Sequence, residues 1–179
     1  MNFLKPETLQ FKFYDIVKSE NDSKYEFHFV QSNDKFVNFK LSKSDIYKIN
    51  FDKKKEYEMY IKLNKNSPLV KKLIEIDNYM SKLENFVEYR YVPILRKNEQ
   101  DYPYIKAKLL VDFTTHESLT NLTVIDFYSN EQRESKIDSI DHFKEICKDI
   151  KGLVIFPNKL YVSDGCYGVT LRIKNVIKE

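Results

Sequence analysis

Glycine and tryptophan are the residues that this sequence most clearly lacks. The 179 residues include three glycines, all beyond residue 150, and no tryptophan. Loops that cradle a phosphate, such as the P-loop and the dinucleotide-binding turn, need glycine where the backbone approaches the ligand closely. The shortage of glycine therefore weighs strongly against a nucleotide-binding enzyme of either type.

Cysteine is scarce, and long apolar runs are missing. Cys147 and Cys166 are the only cysteines, and we expect both to be free thiols in a reducing, intracellular compartment. The N-terminal MNFLKPETLQ lacks the basic start and the apolar core of a signal peptide. No apolar run approaches the roughly 18 residues that a membrane span needs. The sequence therefore predicts an intracellular protein that does not contact a membrane.

Signals of catalysis and of metal binding are missing as well. His28, His116 and His142 are the only histidines, and none stands at a metal-ligand spacing from a cysteine or a carboxylate. The sequence shows no Gly-x-Ser-x-Gly turn, Ser/His/Asp arrangement or recognisable nuclease cluster of carboxylates. We therefore expect a protein that is not an enzyme and that uses no cofactor and no metal ion.

The composition that remains is that of a folded protein with a modest charge. Hydrophobic residues make up 42% of the chain and charged residues 32%, which predicts one globular domain over residues 1–179. The net charge is only +3, so a basic surface would have to come from the local placement of charges. Lys, Asn, Ile, Tyr and Asp are abundant, as an AT-rich genome would produce. Their positions are therefore more informative than their numbers.

Alternation with period two predicts strands over most of the chain. A helix is predicted from Ser67-Pro68 to about Asn85, and Asp138 or Ser139 caps a second helix. Strands of this number with two helices predict a mainly β (α+β) fold, an OB-fold-like Greek-key barrel with two helical insertions. The predicted strands are Leu9–Val17, Tyr25–Gln31, Phe36–Leu41, Tyr57–Leu63, Val87–Leu95, Tyr102–Asp112, Leu122–Tyr128, Leu153–Phe156, Lys159–Val162 and Tyr167–Val176.

Two of these strands place rings or cations opposite an apolar face. In Tyr102–Asp112, the side chains of Tyr104, Lys106 and Lys108 fall on one face and the aliphatic residues on the other. The strand Tyr167–Val176 repeats this pattern with a threonine and two basic residues. A ring can stack on an unpaired base and a cation can neutralise a phosphate. Both strands therefore indicate a surface that could hold single-stranded nucleic acid.

The order of sequence blocks from Tyr89 onward carries a family resemblance. The aromatic-basic segment YRYVPILRK precedes the strand YPYIKAKLLVD, an amphipathic helix follows, and the block KGLVIFPNKLYVSDGCYGVTLRIKNV ends at Val176. This order resembles the single-stranded DNA-binding proteins of large eukaryotic DNA viruses, which are similar in fold to those of some lytic phages. The segment Tyr167-Gly168-Val169-Thr170-Leu171 is the most specific part of the match.

The resemblance implies an OB-fold that coats single strands, largely without sequence preference, during viral DNA replication or repair. It implies single-stranded DNA as ligand, with RNA left open, and replication proteins or a second copy of the chain as further candidate partners. The site of action would be the host cytoplasm or a viral replication site. Relatives tend to carry a tryptophan in the final hairpin, for which Tyr161 and Tyr167 are the candidate replacements.

Fourteen residues are candidates for contact with nucleic acid. Tyr89 and Tyr91 share one strand face and Arg90 lies on the other, so either the rings or the arginine would meet the ligand. The alternative function is a protein–protein interaction module, viral structural or host-modulating, whose aromatic surface meets a partner chain. The candidate residues are Tyr89, Arg90, Tyr91, Arg96, Lys97, Tyr102, Tyr104, Lys106, Lys108, Lys159, Tyr161, Tyr167, Arg172 and Lys174.

Overall fold

The computed structural model describes residues 12–13, 17–18, 24–26, 29–30, 38–52, 54–55, 57–109, 120–125, 132–137 and 139–178. Within these ranges the chain forms fourteen β-strands and two α-helices. The helices are α1 (Pro68–Met80) and α2 (Ile140–Ile146). The strands are β1 (Lys12–Phe13), β2 (Val17–Lys18), β3 (Lys24–Glu26), β4 (Phe29–Val30), β5 (Phe39–Ser42), β6 (Ile46–Phe51), β7 (Glu58–Leu63), β8 (Arg90–Val92), β9 (Leu95–Lys97), β10 (Pro103–Leu109), β11 (Asn121–Ile125), β12 (Gln132–Lys136), β13 (Ile150–Ser163) and β14 (Cys166–Lys178).

A long hairpin of β13 and β14 forms the centre of the sheet. Its two strands are antiparallel, and Ser163 pairs with Cys166 at the tip. The two residues of the turn, Asp164 and Gly165, have φ values of +51° and +69°. Asp-Gly suits such a turn because both central residues must adopt positive φ. The tight turn that the sequence predicts at this dipeptide is therefore confirmed.

Both strands of this hairpin are also paired on their outer edges. β14 carries β8, β10 and β11 on its free edge, and all three run parallel to it. β13 carries β3 and β5 on its own free edge, both antiparallel. Beyond β10 the sheet continues through β7 to β6. Every strand near the candidate site is therefore positioned, directly or through one neighbour, by backbone hydrogen bonds to β14.

The predicted fold class, mainly β with two helices, is confirmed. The described strands pair in the order β2-β3-β13-β14-β10-β7-β6, with β5, β8, β9, β11 and β12 branching from this path. Among the described strands no pairing joins β2 to β6, so the sheet is open rather than closed into a barrel. The Greek-key, OB-like part of the prediction is not confirmed by these pairings and stays a prediction.

Prolines mark the places where predicted strand boundaries were wrong. The predicted strand Val87–Leu95 is instead two short strands, β8 and β9, separated at Pro93 and preceded by a 3₁₀ turn. Proline lacks the N–H group that a continuous ladder needs. Two strands predicted around residues 153–162 form the single strand β13, whose register shifts after Pro157. Of the strands predicted before residue 38, only the short pieces β1 to β4 lie within the described residues.

Helix α1 begins as the sequence predicts. The Ser67 hydroxyl accepts a hydrogen bond from the Leu69 backbone N–H at 3.2 Å, and Pro68 occupies the first turn. The helix ends at Met80, before the predicted end at about Asn85. For α2, the structure selects Ser139 as the cap, which accepts from the His142 N–H at 3.1 Å. The buried stripe of α1 consists of Leu69, Val70, Leu73, Ile76 and Met80.

One half-buried carboxylate fastens α1 to the segment that leads into the site. Asp77 accepts hydrogen bonds from the backbone N–H groups of Ile94 (2.8 Å) and Leu95 (2.9 Å). It also accepts one from the Tyr91 hydroxyl at 2.6 Å. Burial raises the pKa of Asp77, although these donors oppose the increase. The carboxylate thus fixes the bend at Pro93, where β8 passes into β9.

We expect Asp77→Ala to lower the free energy of unfolding by about 1–3 kcal/mol, because it leaves two backbone N–H groups without their acceptor. Urea denaturation followed by circular dichroism measures this change. Asn78→Ala is the matched control, because Asn78 is the exposed neighbour on the same helix. Equal stability of the two variants would contradict the role given to Asp77.

Candidate nucleic-acid interface

The two faces predicted for the β10 strand are present in the structure. The odd-numbered residues from Pro103 to Leu109 are buried, and the even-numbered Tyr104, Lys106 and Lys108 are partly exposed. Burial of the aliphatic side chains against the core forces the alternate side chains outward. Residues 110–112 of the predicted strand lie outside the described residues. The central motif of the sequence therefore does present one ring and two cations on the outer face.

Strand β7 extends this outer face. It runs antiparallel to β10, and directly paired residues of two such strands project on the same side of the sheet. Its buried residues include Met59, Ile61 and Leu63, so its alternate side chains share the outer face with those of β10. Aromatic and charged side chains therefore meet pair by pair across the two strands. The outward pairs are Tyr104 with Lys62, Lys106 with Tyr60, and Lys108 with Glu58.

Glu58 holds the two lysines of this face together. Its carboxylate lies 2.5 Å from the Lys106 ammonium and 2.7 Å from the Lys108 ammonium, and its side chain is only 5% exposed. Burial alone would raise the pKa of Glu58, but the two ammonium groups outweigh it and hold the pKa below its usual value. The lysines are therefore fixed in position, and one negative charge offsets part of their positive charge.

A second acidic residue orients the ring beside Lys106. The Tyr60 hydroxyl donates a hydrogen bond to Asp52 at 2.9 Å. The Lys106 ammonium lies 5.7 Å from the centroid of the Tyr60 ring, and the Tyr104 ring meets Tyr60 edge-on at a centroid distance of 5.9 Å. The rings and cations of this face thus form one contiguous patch.

A groove of about 610 Å³ opens beside this patch, where β10, β13 and β14 meet the bend at Pro93. One part of its wall is charged, with four cationic side chains and the Glu58 carboxylate. The other part is formed by Tyr161, by aliphatic side chains and by the hydroxyl residues Ser163 and Thr170. The lining residues are Lys55, Glu58, Pro93, Ile94, Arg96, Lys106, Lys108, Tyr161, Val162, Ser163, Val169, Thr170 and Leu171.

Tyr161 lies across Gly168 on the neighbouring strand. The two residues are paired between β13 and β14. A Cβ atom placed on Gly168 would lie 2.7 Å from the Tyr161 hydroxyl oxygen and 2.9 Å from Cζ, closer than non-bonded atoms approach. Any side chain at position 168 would therefore push the Tyr161 ring away from β14. The glycine allows Tyr161 to rest on the strand at the wall of the groove.

Four of the fourteen candidate residues line this groove together, namely Arg96, Lys106, Lys108 and Tyr161. Tyr104 adjoins them on the same face. Arg172 is paired with Lys108, is partly buried, and donates a hydrogen bond to the Leu109 carbonyl at 2.8 Å. Burial lowers the pKa of Arg172, and Glu58 opposes this effect.

Tyr167 is a correction to the predicted site. Its side chain is 1% exposed, its hydroxyl donates to the Met80 carbonyl at 2.6 Å, and its ring stacks on Phe86 at a centroid distance of 4.8 Å. A ring enclosed in this way cannot stack on a base. Tyr91 is also directed inward, because its ring packs on Tyr167 at 5.1 Å and its hydroxyl is bonded to Asp77. Burial raises the pKa of Tyr91 well above its usual value.

The remaining candidates lie away from the groove lining. Arg90 and Tyr89 are both exposed, and the Arg90 guanidinium donates to the Cys166 sulfur at 3.4 Å. The predicted shared face of Tyr89 and Tyr91 is therefore wrong, because Tyr89 precedes β8 and Tyr91 is directed inward. Lys97 forms an ion pair with Asp101 at 2.8 Å. Lys174 is exposed near the end of β14. The Lys159 side chain lies outside the described residues. Tyr102 stacks on Tyr47 at a centroid distance of 5.4 Å.

Several residues of the site were missed by sequence reasoning. Period two places Glu58 on the outer face, but it does not reveal that two lysines of another strand bury its carboxylate. Asp52 and Asp77 carry no local signal of their bonds to Tyr60 and to Leu95, which lie 8 and 18 residues away. Gly168 had a usable signal, because an isolated glycine within a strand indicates a close approach by another group.

Comparison with known proteins adds no assignment to this geometry. No protein-family model matches the chain, and no curated protein matches it. Neither described helix is long and apolar enough to cross a membrane. In the part of the chain that the structure describes, no three His, Cys, Asp or Glu side chains are grouped as a metal ion would require. Cys147 and Cys166 are free thiols, as predicted.

We expect Gly168→Ala to destabilise the native protein by about 1–3 kcal/mol, because the added Cβ overlaps the Tyr161 ring. In a Tyr161→Ala background the same substitution should cost nothing or stabilise slightly, since an alanine is better than a glycine in a strand. Urea denaturation of the four proteins of this double-mutant cycle measures the coupling.

Gly152→Ala provides the matched control for this cycle. A Cβ on Gly152 would lie 2.6 Å from the backbone oxygen of Leu41, which Tyr161→Ala cannot relieve. The Gly152 variant should therefore be equally destabilised in both backgrounds. Additive effects of Gly168→Ala and Tyr161→Ala would show that the two residues do not touch as described.

The lowered pKa of Glu58 predicts a pH-dependent stability. A carboxyl group whose pKa is lower in the folded state stabilises the fold above its unfolded pKa, and this contribution disappears as the pH falls through the folded value. Wild type should therefore exceed Glu58→Gln in stability near neutral pH, and the difference should shrink below about pH 4. Urea denaturation over this pH range tests it, with the exposed Glu75→Gln as control. A difference independent of pH would contradict the ion-pair role.

Proposed function

We propose that this chain is a non-catalytic binding protein for single-stranded nucleic acid, with DNA as its main ligand. The observation that carries the proposal is the groove in which Arg96, Lys106, Lys108 and Lys55 share a wall with the Tyr161 ring. Cations and an accessible ring in one cavity match the two parts of a nucleotide strand, a charged phosphate backbone and flat apolar bases.

The proposed roles follow from where each side chain lies. Lys106 and Lys108 are fixed by Glu58 at 2.5 and 2.7 Å, so they would meet a phosphate with little further loss of side-chain entropy. Arg96 would add a planar donor for a second phosphate. Tyr161 would stack on a base, with the aliphatic part of the wall covering the base edge.

A preference for single strands follows from the position of Tyr161. In a duplex, the flat faces of a base are covered by its neighbours, so a ring at a groove wall cannot reach them without unstacking the helix. In a single strand the bases can turn away from the backbone and enter the groove. Contacts to phosphates and to ring faces carry little information about base identity, so the proposed binding is largely independent of sequence.

The wider role belongs to the proposal as well. The sequence resemblance to single-stranded DNA-binding proteins of large eukaryotic DNA viruses supports an OB-like fold and a role in coating strands during replication or repair. It also supports an intracellular site of action. Replication proteins or further copies of the chain would then be its partners. The groove is lined by residues of β7, β9, β10, β13, β14 and the loops beside them, so the binding proposal does not depend on a closed barrel.

The direct test is fluorescence anisotropy of a labelled oligo-dT of about 30 nucleotides, titrated at two salt concentrations with duplex DNA as competitor. We expect binding that weakens with salt and that duplex DNA displaces poorly. Equal affinity for duplex, or no binding at low salt, would overturn the proposal. The second of these results would favour the alternative, a module that binds a partner protein.

Two substitutions in the groove should change this binding in different ways. Tyr161→Ala should weaken it by about 1–3 kcal/mol at every salt concentration, the value of one stacked base. Arg96→Gln should instead reduce the slope of log affinity against log salt by about 0.7, the value of one phosphate contact to a single strand. The affinity of each variant and its dependence on salt both come from the same anisotropy titrations, repeated over a range of salt concentrations.

Lys71→Ala and Lys82→Ala are the matched controls, because both lysines are exposed on or just after α1 rather than along the groove. Each control removes one positive charge, as Arg96→Gln does. It should nevertheless leave the slope of log affinity against log salt nearly unchanged. A fall in slope as large as that of Arg96→Gln would mean that binding is spread over the whole surface and that the groove is not its site.

A further inference from the structure

A stacked pair of tyrosines lies at the opposite end of β10 from the groove. Tyr47 and Tyr102 have ring centroids 5.4 Å apart and an angle of 19° between ring planes. The Lys65 ammonium lies 4.7 Å from the centroid of the Tyr102 ring. Tyr47 is 58% exposed, well above the other rings near the site. Aromatic surface of this size is thus left open to solvent beside a cation.

The position of Tyr47 is set by an irregularity in the sheet. Between β6 and β7, Ile46 pairs with Leu63 and Lys48 pairs with Lys62, so Tyr47 is an extra residue on its strand. A bulge of this kind turns a side chain away from the regular alternation. The Tyr47 ring contributes to no part of the buried core. Its stacking on Tyr102 is therefore a contact made at the surface.

The tyrosine pair and the groove lie along one strand face. Tyr102 directly precedes β10 and has the same parity as Tyr104, Lys106 and Lys108, which form its outer face. Lys106 and Lys108 lie four and six positions after Tyr102, or about 13 and 20 Å along an extended strand. Tyr104 lies between them, and Arg96 is paired with it from β9. A ligand that leaves the groove along β10 therefore meets rings and cations up to Tyr102.

The charges near the pair are mixed, with Lys65 beside the Tyr102 ring and Lys97 paired with Asp101, the residue before Tyr102. Asp101 lies 2.8 Å from the Lys97 ammonium and 3.9 Å from the Lys65 ammonium. All three side chains are about half exposed or more, so these ion pairs are weak and can be exchanged for contacts to a phosphate. The lysine beside Tyr102 is thus available to a strand that passes over the ring.

We infer that the Tyr47–Tyr102 pair is a second stacking site for the same single strand that occupies the groove. This inference rests on the proposed function. A base of the strand stacks on the open face of Tyr47, and Lys65 or Lys97 contacts an adjacent phosphate. Because the groove lysines of β10, Lys106 and Lys108, are about 13 to 20 Å from the pair along the strand, a short oligonucleotide fills one site and a longer one spans both.

The test compares two lengths of oligo-dT, about four and about twelve nucleotides, by anisotropy and competition at low salt. Tyr47→Ala should weaken binding of the longer oligonucleotide by about 5- to 150-fold, the effect of one lost stack. It should leave the shorter one within about twofold of wild type, because the groove holds it. Tyr161→Ala should weaken both, and Tyr47→Phe should bind like wild type because the ring face is kept.

Tyr79→Ala is the matched control, since Tyr79 is an exposed tyrosine on α1, at 45% exposure. It should affect neither length. An unchanged affinity of Tyr47→Ala for the longer oligonucleotide, or an equal loss for both lengths, would overturn the second site. If Tyr161→Ala also had no effect on either length, the groove proposal itself would fail, so the two failures are distinguishable.

Discussion

Backbone pairing on both edges of β14 is the constraint on which the rest of the structure depends. One edge carries β13, which brings Tyr161 over Gly168, and the other carries β10, which brings Lys108 beside Arg172. Because side chains alternate with a fixed period, these two registers decide which side chains share a face. A shift of one residue in the β10 ladder would turn Lys106 and Lys108 toward the core, and the same shift in the β13 ladder would turn Tyr161 to the other face. Backbone hydrogen bonds between the strands, rather than side-chain contacts, therefore bring Tyr161 and the β10 lysines together.

The outer face must also solve an electrostatic problem. Lys106 and Lys108 project from the same strand with one residue between them, and two like charges at that spacing repel each other. The Glu58 carboxylate, placed opposite Lys108 by the pairing of β7 with β10, removes this repulsion. As a consequence, one negative charge stays in the groove that we propose holds an anionic strand. Glu58 thus fixes the positions of Lys106 and Lys108 but lowers the net positive charge of the groove. In the proposed binding, ring contacts would therefore contribute a larger share of the affinity.

Local patterns predicted the parts of this molecule that depend on local chemistry. The alternation of β10, the Ser67 cap and the Asp164-Gly165 turn each follow from residues a few positions apart. Predictions were wrong where distant contacts decide. Tyr167 reads as a surface ring, but Phe86 and Met80 enclose it. Strand β12 has a polar sequence and exposed side chains, so its strand geometry comes from pairing with β11 rather than from any apolar pattern. The groove combines β10 with the β13–β14 hairpin, which begins about 40 residues later in the sequence, so no single segment predicts it.

The three parallel neighbours of β14 have a consequence for how the chain is made. β8, β10 and β11 all precede β14 in sequence, and each needs its backbone ladder to complete its own pairing. During synthesis these strands leave the ribosome long before the strand that joins them. Contacts between such distant segments are expected to form slowly, with unpaired edges exposed meanwhile. Formation of the hairpin that lines the proposed binding groove is thus also the step for which the emerging chain must wait. Until that step, we expect the chain to be most prone to aggregate.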